Sequence, residues 1–250
     1  MSYTPGYSEN AIRFMERRTL DLHGDFIRPW LSRAKRILDV GCGPGSITLE
    51  VAERFPKAAV TGVDREASQL EIARSGAAAR GLENVSFALG GLGEDWNPPL
   101  EAFDLVYSHA VFEHVPNPID CLRQLHSSLR EDGIIALKSP DWGGFVLYPE
   151  TRECRDALDV YETIQQTNGG DTHAGRKLGA WLREAGFVDS GITATYEIYR
   201  DVPEVAEYLA LRLDHDGESA HAEALRNWAR HGDALFAQTW IAASARKARR

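Results

Sequence analysis

One short run, Ile37-Leu38-Asp39-Val40-Gly41-Cys42-Gly43-Pro44-Gly45, constrains this chain more than any other segment. An apolar strand runs into a turn with glycine at every second position, and Ile47, Val51, Ala52 and Phe55 follow at helical spacing. Glycines at 41, 43 and 45 permit a tight bend and let backbone approach a ligand where a Cβ would collide. A second strand over 59–64 ends in Asp64, 23 residues after Gly41, placed to accept hydrogen bonds from a ribose diol. The first half of the chain therefore reads as a nucleoside-binding α/β unit.

The glycine spacing is G-x-G-x-G, not the G-x-G-x-x-G of dinucleotide folds, and Asp39 precedes it. A turn made for pyrophosphate keeps helix-start N–H groups free for an anion. A carboxylate two residues ahead of the first glycine opposes a pyrophosphate and suits a cationic ligand.

Net charge bears on the partner. With 28 basic and 37 acidic residues the formal charge is −9, which argues against nucleic-acid binding, since that needs many cations facing phosphates. The basic end, Arg246 to Arg250, reads as a solvated tail. Cys42, Cys121 and Cys154 fit neither a zinc site nor a disulfide framework. The first residues lack a signal core and no 18-residue apolar run occurs, so the expectation is a soluble, cytoplasmic protein without a membrane partner.

Along the chain, residues 10–34 read as helix, and strands are expected at 35–40, 59–64, 85–89, 103–107 and 133–138, with helices between them. This β–α alternation predicts a parallel sheet covered on both faces. The rhythm breaks from Pro140 to Thr172, with a glycine–tryptophan turn, a helix from Glu150 to Gln166 and a polar stretch. It resumes with an amphipathic helix carrying Leu178, Trp181, Leu182 and Ala185, and Gly186 as its C-cap. A strand over 187–199, helices at 203–215 and 218–231, and a last strand over 234–243 complete the order.

The run Asp39-Val40-Gly41-Cys42-Gly43-Pro44-Gly45 is a full match to the first motif of the class I S-adenosylmethionine-dependent methyltransferases, and the chain resembles that family. The resemblance implies an α/β, Rossmann-like fold: a seven-stranded, mostly parallel sheet with an antiparallel last strand and helical substrate-cap insertions. It implies a single domain over 1–250, with an N-terminal helical cap at 1–34, an insertion at 140–174 and a helical insertion at 201–232. S-adenosylmethionine is the implied cofactor and S-adenosylhomocysteine the product.

On this resemblance Gly41, Gly43 and Gly45 underlie the methionine and ribose, Asp39 meets the amino group, Asp64 holds the ribose hydroxyls, Arg65 flanks the adenine, and Gln69 lies near the ribose. Many members carry Gly-Asp-Ala after the third strand, the acid accepting from the adenine amino group. Here the segment is Gly90-Gly91-Leu92-Gly93-Glu94-Asp95, so Gly91 occupies the acid's place and Leu92 offers its backbone N–H. Either Glu94 or Asp95 substitutes, or binding is weaker by about 1–2 kcal/mol. Phe103 to Val115 resembles the fourth motif, which puts Ser108 and His109 beside the methionyl group and matches Glu113-His114 to a pair in ubiquinone- and menaquinone-pathway methyltransferases.

The segments around Tyr3, Tyr7, Arg18-Thr19, Asp141 to Gly144 and 168–176 resemble a bacterial group of small-molecule methyltransferases, many in secondary metabolism. The expected reaction is in-line transfer to oxygen, nitrogen or carbon of a small acceptor. Where the acceptor must lose a proton, His109, then His173 and Asp171, are the candidate bases. Tyr3, Tyr7, His114, Trp142, Phe145 and Tyr148 are candidates for the substrate pocket, the two N-terminal tyrosines as a flap. No metal is expected. Two alternatives stand beside this: an enzyme that uses the cofactor for a non-methylating reaction, and a non-catalytic regulatory protein. Monomer and homodimer are both open.

Overall fold

The computed structural model describes residues 6, 9–93 and 96–249. The N-terminal region forms two separate helices, α1 (Glu9–Glu16) and α2 (Arg28–Leu31), in place of the continuous helix expected over 10–34. The reason is local: the backbone N–H groups of His23 and Gly24 both bond to the Thr19 carbonyl, closing a turn. At Gly24 a Cβ would fall 2.8 Å from the Leu20 side chain. Pro29 then opens α2, where a missing N–H costs nothing.

After these come β1 (Arg36–Val40), α3 (Ser46–Arg54), β2 (Ala59–Asp64), α4 (Ala67–Ala79), β3 (Val85–Leu89) and β4 (Phe103–His109). Then follow α5 (Pro118–Ser128), β5 (Leu129–Tyr148), α6 (Arg152–Thr167), α7 (Ala174–Glu184), β6 (Val188–Ile198), α8 (Val202–His215), α9 (Ser219–Ala229) and β7 (Leu235–Arg246). The seven strands form one sheet in the order β3-β2-β1-β4-β5-β7-β6. Strands β1 to β5 are parallel, and β7 runs antiparallel to both β5 and β6.

The central strands have apolar residues on both faces, as a sheet covered by helices on both sides requires. Ile37, Leu105, Tyr107 and Ala136 pack with Leu20, Ile27, Leu31, Ile47 and Val51 on one face. Their neighbours Leu38, Val40, Val106, Ile135 and Leu137 pack with Leu122, Leu125, Leu178 and Leu182 on the other. A third core joins the far ends of β5 and β7 to α6, α8 and α9, through Trp142, Leu158, Tyr161, Leu209, Leu225, Trp228 and Phe236.

Strand β5 differs most from expectation. It runs on through the glycine–tryptophan segment to Tyr148, because β7 is long enough to pair with it throughout, with Val146 opposite Ala237 and Tyr148 opposite Leu235. The register shifts between Asp141 and Val146. Gly143 and Gly144 permit that bulge: a Cβ on Gly144 would lie 2.6 Å from Thr239 Oγ1. The glycines thus bend a strand and do not end it. No helix among the described residues is long and apolar enough to cross a membrane.

The basic end also departs from a solvated tail. Arg246 closes β7 and pairs with Asp132 and Asp189. Lys247 is buried, and its ammonium donates to the Leu129 carbonyl at 2.6 Å. Removing that ammonium leaves a buried carbonyl unpaired, a loss of about 1–3 kcal/mol. Lys247→Met is therefore expected to lower unfolding free energy by that amount in urea titration; an unchanged midpoint would return this segment to the status of a tail.

Candidate active site

The carboxyl ends of the parallel strands face one crevice, and a cavity of about 350 Å³ lies there. Its wall includes Asp39, Gly41, Cys42 and Gly43 from the first turn, Asp64, Arg65 and Gln69 from the second, Gly90 to Gly93, and His109 to Val111. The turn is held from β2: Gly41 and Cys42 donate to the Val63 carbonyl, and Gly43 donates to Asp64 Oδ2 at 2.8 Å. Gly41 has φ of +73°, and a Cβ there would sit 2.2 Å from Val111 Cγ2. Both facts require glycine.

Two carboxylates define the polar side. Asp39 is 3% exposed and accepts from Thr48 Oγ1 at 2.6 Å. Burial pushes its carboxyl up to about 7, against the pull of the Thr48 and Tyr107 hydroxyls. Asp64 is also raised by burial, although the backbone amides of Glu66 and Gly43 bond to its two oxygens. Each oxygen keeps a second lone pair for a ligand hydroxyl. Gln69 is fully buried, and neither atom of its amide has a hydrogen-bond partner.

These features fit S-adenosylmethionine. The volume suits a ligand of that size. A buried acid stands ready for an ammonium, a strand-end acid for a diol, and an unpaired amide for a heterocycle. The turn also leaves room for a methionyl chain, since a Cβ on Gly43 would meet only Met15 Sδ, at 3.7 Å.

Gly45 and Ser108 do not line the cavity, contrary to expectation. Gly45 caps α3 at φ +81°, where a Cβ would fall 3.0 Å from Ala73 Cβ. Ser108 donates to the Val40 carbonyl at 2.8 Å and so ties β4 to β1. Gly91 and Leu92 line the wall, whereas Glu94 and Asp95 lie outside the described residues.

A second, smaller chamber of about 70 Å³ adjoins the first. Arg18, Ala110 and His114 line both. Ala110 turns the chain out of β4 at φ +58°, a left-handed conformation that a non-glycine residue holds only under constraint. Seven aromatic side chains contribute to the chamber wall. Phe14 stacks on Tyr208 at 4.5 Å, Trp142 on Tyr161 at 5.3 Å, and Tyr199 on Phe236 at 5.7 Å. Trp240 stacks on His109 at 4.8 Å, with its indole N–H buried.

The titratable groups here are mostly held neutral. Burial, reinforced by Arg18, His23 and Lys138, keeps His109 well below the usual histidine range. Burial with Arg18 and Arg65 drives His114 down to about 3. Glu113 is pushed up to about 7 by burial, while Ser139 donates to its Oε2 at 2.8 Å. Arg18 is half-buried, and among the described residues no ion pair or side-chain hydrogen bond holds its guanidinium.

The other expected bases are elsewhere. Asp171 and His173 line an open groove with Lys177 and Trp181, and neither reaches the cofactor cavity or the chamber. Asp171 accepts from the His173 backbone N–H and pairs with Lys177, a helix-entry role that its position before α7 explains. Of the expected pocket residues, His114 and Trp142 line the chamber. Phe145 stands behind Trp142 under Arg155. Tyr148 is 58% exposed at the end of β5. Tyr3 and Tyr7 lie outside the described residues. Among the described residues no cluster of histidine, cysteine and acid residues could hold a metal, and Asp141 is instead engaged by Arg176.

No local signal gives a site role to Met15, Tyr161, Tyr199, Tyr208 or Trp240, which come from α1, α6, the residue after β6, α8 and β7. Their apolar character signals core as readily as pocket. Glu113 and Arg18 were visible only as parts of matched segments.

Asp39 has a consequence for stability. Its carboxyl ionises ordinarily near 3.8 and here near 7, so the folded state holds a proton that the unfolded chain has lost. The stability this confers is complete below about 4 and disappears as pH rises through about 7; Glu113 acts in the same direction. In thermal melts without ligand, Asp39→Asn is expected to flatten the fall in Tm between pH 5.5 and 8 and to melt higher than wild type at pH 8. Identical pH slopes for the two proteins would refute the buried-acid account.

Residues 31–186 match the family model described as a methyltransferase domain. A trans-aconitate 2-methyltransferase of Rhodopseudomonas palustris (strain BisA53) is 31% identical over 134 residues, which cover 54% of this chain and 50% of that one. The chain thus spans about half the length of the curated relatives it matches. A solved structure of a candidate methyltransferase from Bacillus halodurans superposes with a TM-score of 0.68 at 18% identity, covering 92% of this chain and 100% of the other. Phosphoethanolamine N-methyltransferase 2 of Haemonchus contortus, solved with S-adenosylhomocysteine, superposes with a TM-score of 0.60 at 17% identity, over 86% of this chain and 49% of that one. The match over more than half its length and the sheet order together place this chain in the methyltransferase-domain family of class I, whose cofactor is S-adenosylmethionine.

Proposed function

We propose that this chain transfers a methyl group from S-adenosylmethionine to a small organic acceptor bearing a carboxylate. The observation that carries the reading is the junction of the two cavities at Arg18, Ala110 and His114. Bound in the larger cavity, the cofactor supplies a methyl group already activated by its positive sulfur. What the protein must add is alignment and exclusion of water.

Asp39 and Asp64 are placed to fix the two polar ends of the ligand, its ammonium and its ribose diol. Ala110, with the smallest chiral side chain, leaves the passage between the cavities open. The aromatic wall keeps water from the chamber and offers a flat, apolar surface to the acceptor. The chamber is small beside the cofactor cavity, which favours a small-molecule acceptor.

Charge selects the acceptor class. His109 and His114 are neutral at pH 7 and Glu113 is only partly ionised, which leaves Arg18 as the cation at the junction. A guanidinium presents a planar fork that matches a carboxylate in a bidentate pair. The relatives named for trans-aconitate, itself a carboxylate, agree with this assignment. If an acceptor atom must lose a proton, Glu113 is the chamber's base, with an ionisation near neutrality.

The test is S-adenosylhomocysteine formation from S-adenosylmethionine with small carboxylic acids, trans-aconitate first, beside their neutral amides. Turnover of acids and not amides is expected. Arg18→Met should raise the KM of the acid at least tenfold while changing the Kd for S-adenosylhomocysteine less than twofold. Preferred turnover of amines or phenols would overturn the acceptor class. An equal loss of S-adenosylhomocysteine affinity in the variant would assign Arg18 to the cofactor's own carboxylate.

A further inference from the structure

Gln69 sits in the first turns of α4 with no exposed surface, and both its amide oxygen and its amide nitrogen are buried without a partner. A buried primary amide ordinarily finds partners for its donors and its acceptor. Packing does not account for this one. The buried positions further along the same helix are Leu70, Ala73 and Ala77, and an unbranched apolar side chain would fill the space of Gln69 without orphaning polar atoms. The residue lines the larger cavity together with Gly90, Gly91, Leu92 and Gly93.

That second segment supplies no acid at its cavity-lining positions, since three of its four residues are glycine and the fourth is leucine. A heterocycle seated there needs its hydrogen bonds from another element. A glutamine amide presents one acceptor and two donors in a plane, and the adenine edge presents its 6-amino donor beside a ring-nitrogen acceptor. The two pair in bidentate fashion, as glutamine does with adenine in nucleic-acid recognition.

We propose that the side-chain amide of Gln69 reads the adenine of the bound cofactor, its oxygen accepting from the 6-amino group and its nitrogen donating to the adjacent ring nitrogen. This rests on the reading of the cavity as the S-adenosylmethionine site, and it deepens that reading by naming what sets base specificity. The glycines at 90 and 91 then keep the opposite wall low and leave selection to α4.

A double cycle tests it. Isothermal titration would compare S-adenosylhomocysteine with its analogue lacking the 6-amino group, on wild type and on Gln69→Met. Wild type should prefer the natural ligand by about tenfold, and the variant should bind it about tenfold more weakly and lose most of that preference. The ligand-free variant should melt no lower than wild type, because an unpaired amide has been removed. An unchanged preference in a folded variant overturns the adenine contact alone. Failure of wild type to bind S-adenosylhomocysteine overturns both this contact and the cofactor site on which it rests.

Discussion

The site depends on one attachment: the glycine turn after β1 is held by the end of β2. Two amides of the turn donate to Val63, and a third donates to Asp64 Oδ2. The carboxylate proposed to hold the ribose is therefore also the acceptor that shapes the neighbouring turn. Val111, from the end of β4, closes against Gly41 and leaves no room for a side chain. Three strand ends thus fix one another, and the turns that follow them line much of the cavity.

The same arrangement has an energetic cost. Asp39, Glu113, His109 and Gln69 are buried polar groups, and the His109 ring nitrogens and the Gln69 amide are without partners, at a cost to folding. The fold tolerates them because its two sheet cores are extensive and the third, helical core supports the far ends of β5 and β7. On the binding mode proposed above, the ligand relieves part of this cost by supplying an ammonium, hydroxyls and a heterocycle edge. Stability and binding are therefore opposed at these positions, as is common where a site is preorganised.

Much of this was legible in the sequence, for identifiable reasons. The run from Ile37 to Gly45 encodes strand, turn and helix entry in nine residues, and Asp64 follows from the strand that ends there. The alternation of strands and helices announced a parallel sheet covered on both faces. What sequence could not convey was long-range pairing. Gly143 and Gly144 interrupt the strand signal between Pro140 and Tyr148, and its partner β7 lies about ninety residues later. For the same reason Lys247 looked like tail and proved to be buried against Leu129. Asp171 and His173 carry suitable chemistry, but the turn into α7 directs them to an open groove. The aromatic chamber draws on segments far apart in the chain, and only the assembled fold brings Phe14, Tyr161, Tyr199, Tyr208 and Trp240 together.

The most direct test of the account is a crystal structure of the protein with S-adenosylhomocysteine. The account predicts the ribose hydroxyls on Asp64, the amino group at Asp39, and the sulfur beside Ala110, facing the chamber lined by Trp142 and Trp240. A ligand whose sulfur pointed away from that junction, or one bound outside the cavity at the strand ends, would contradict it.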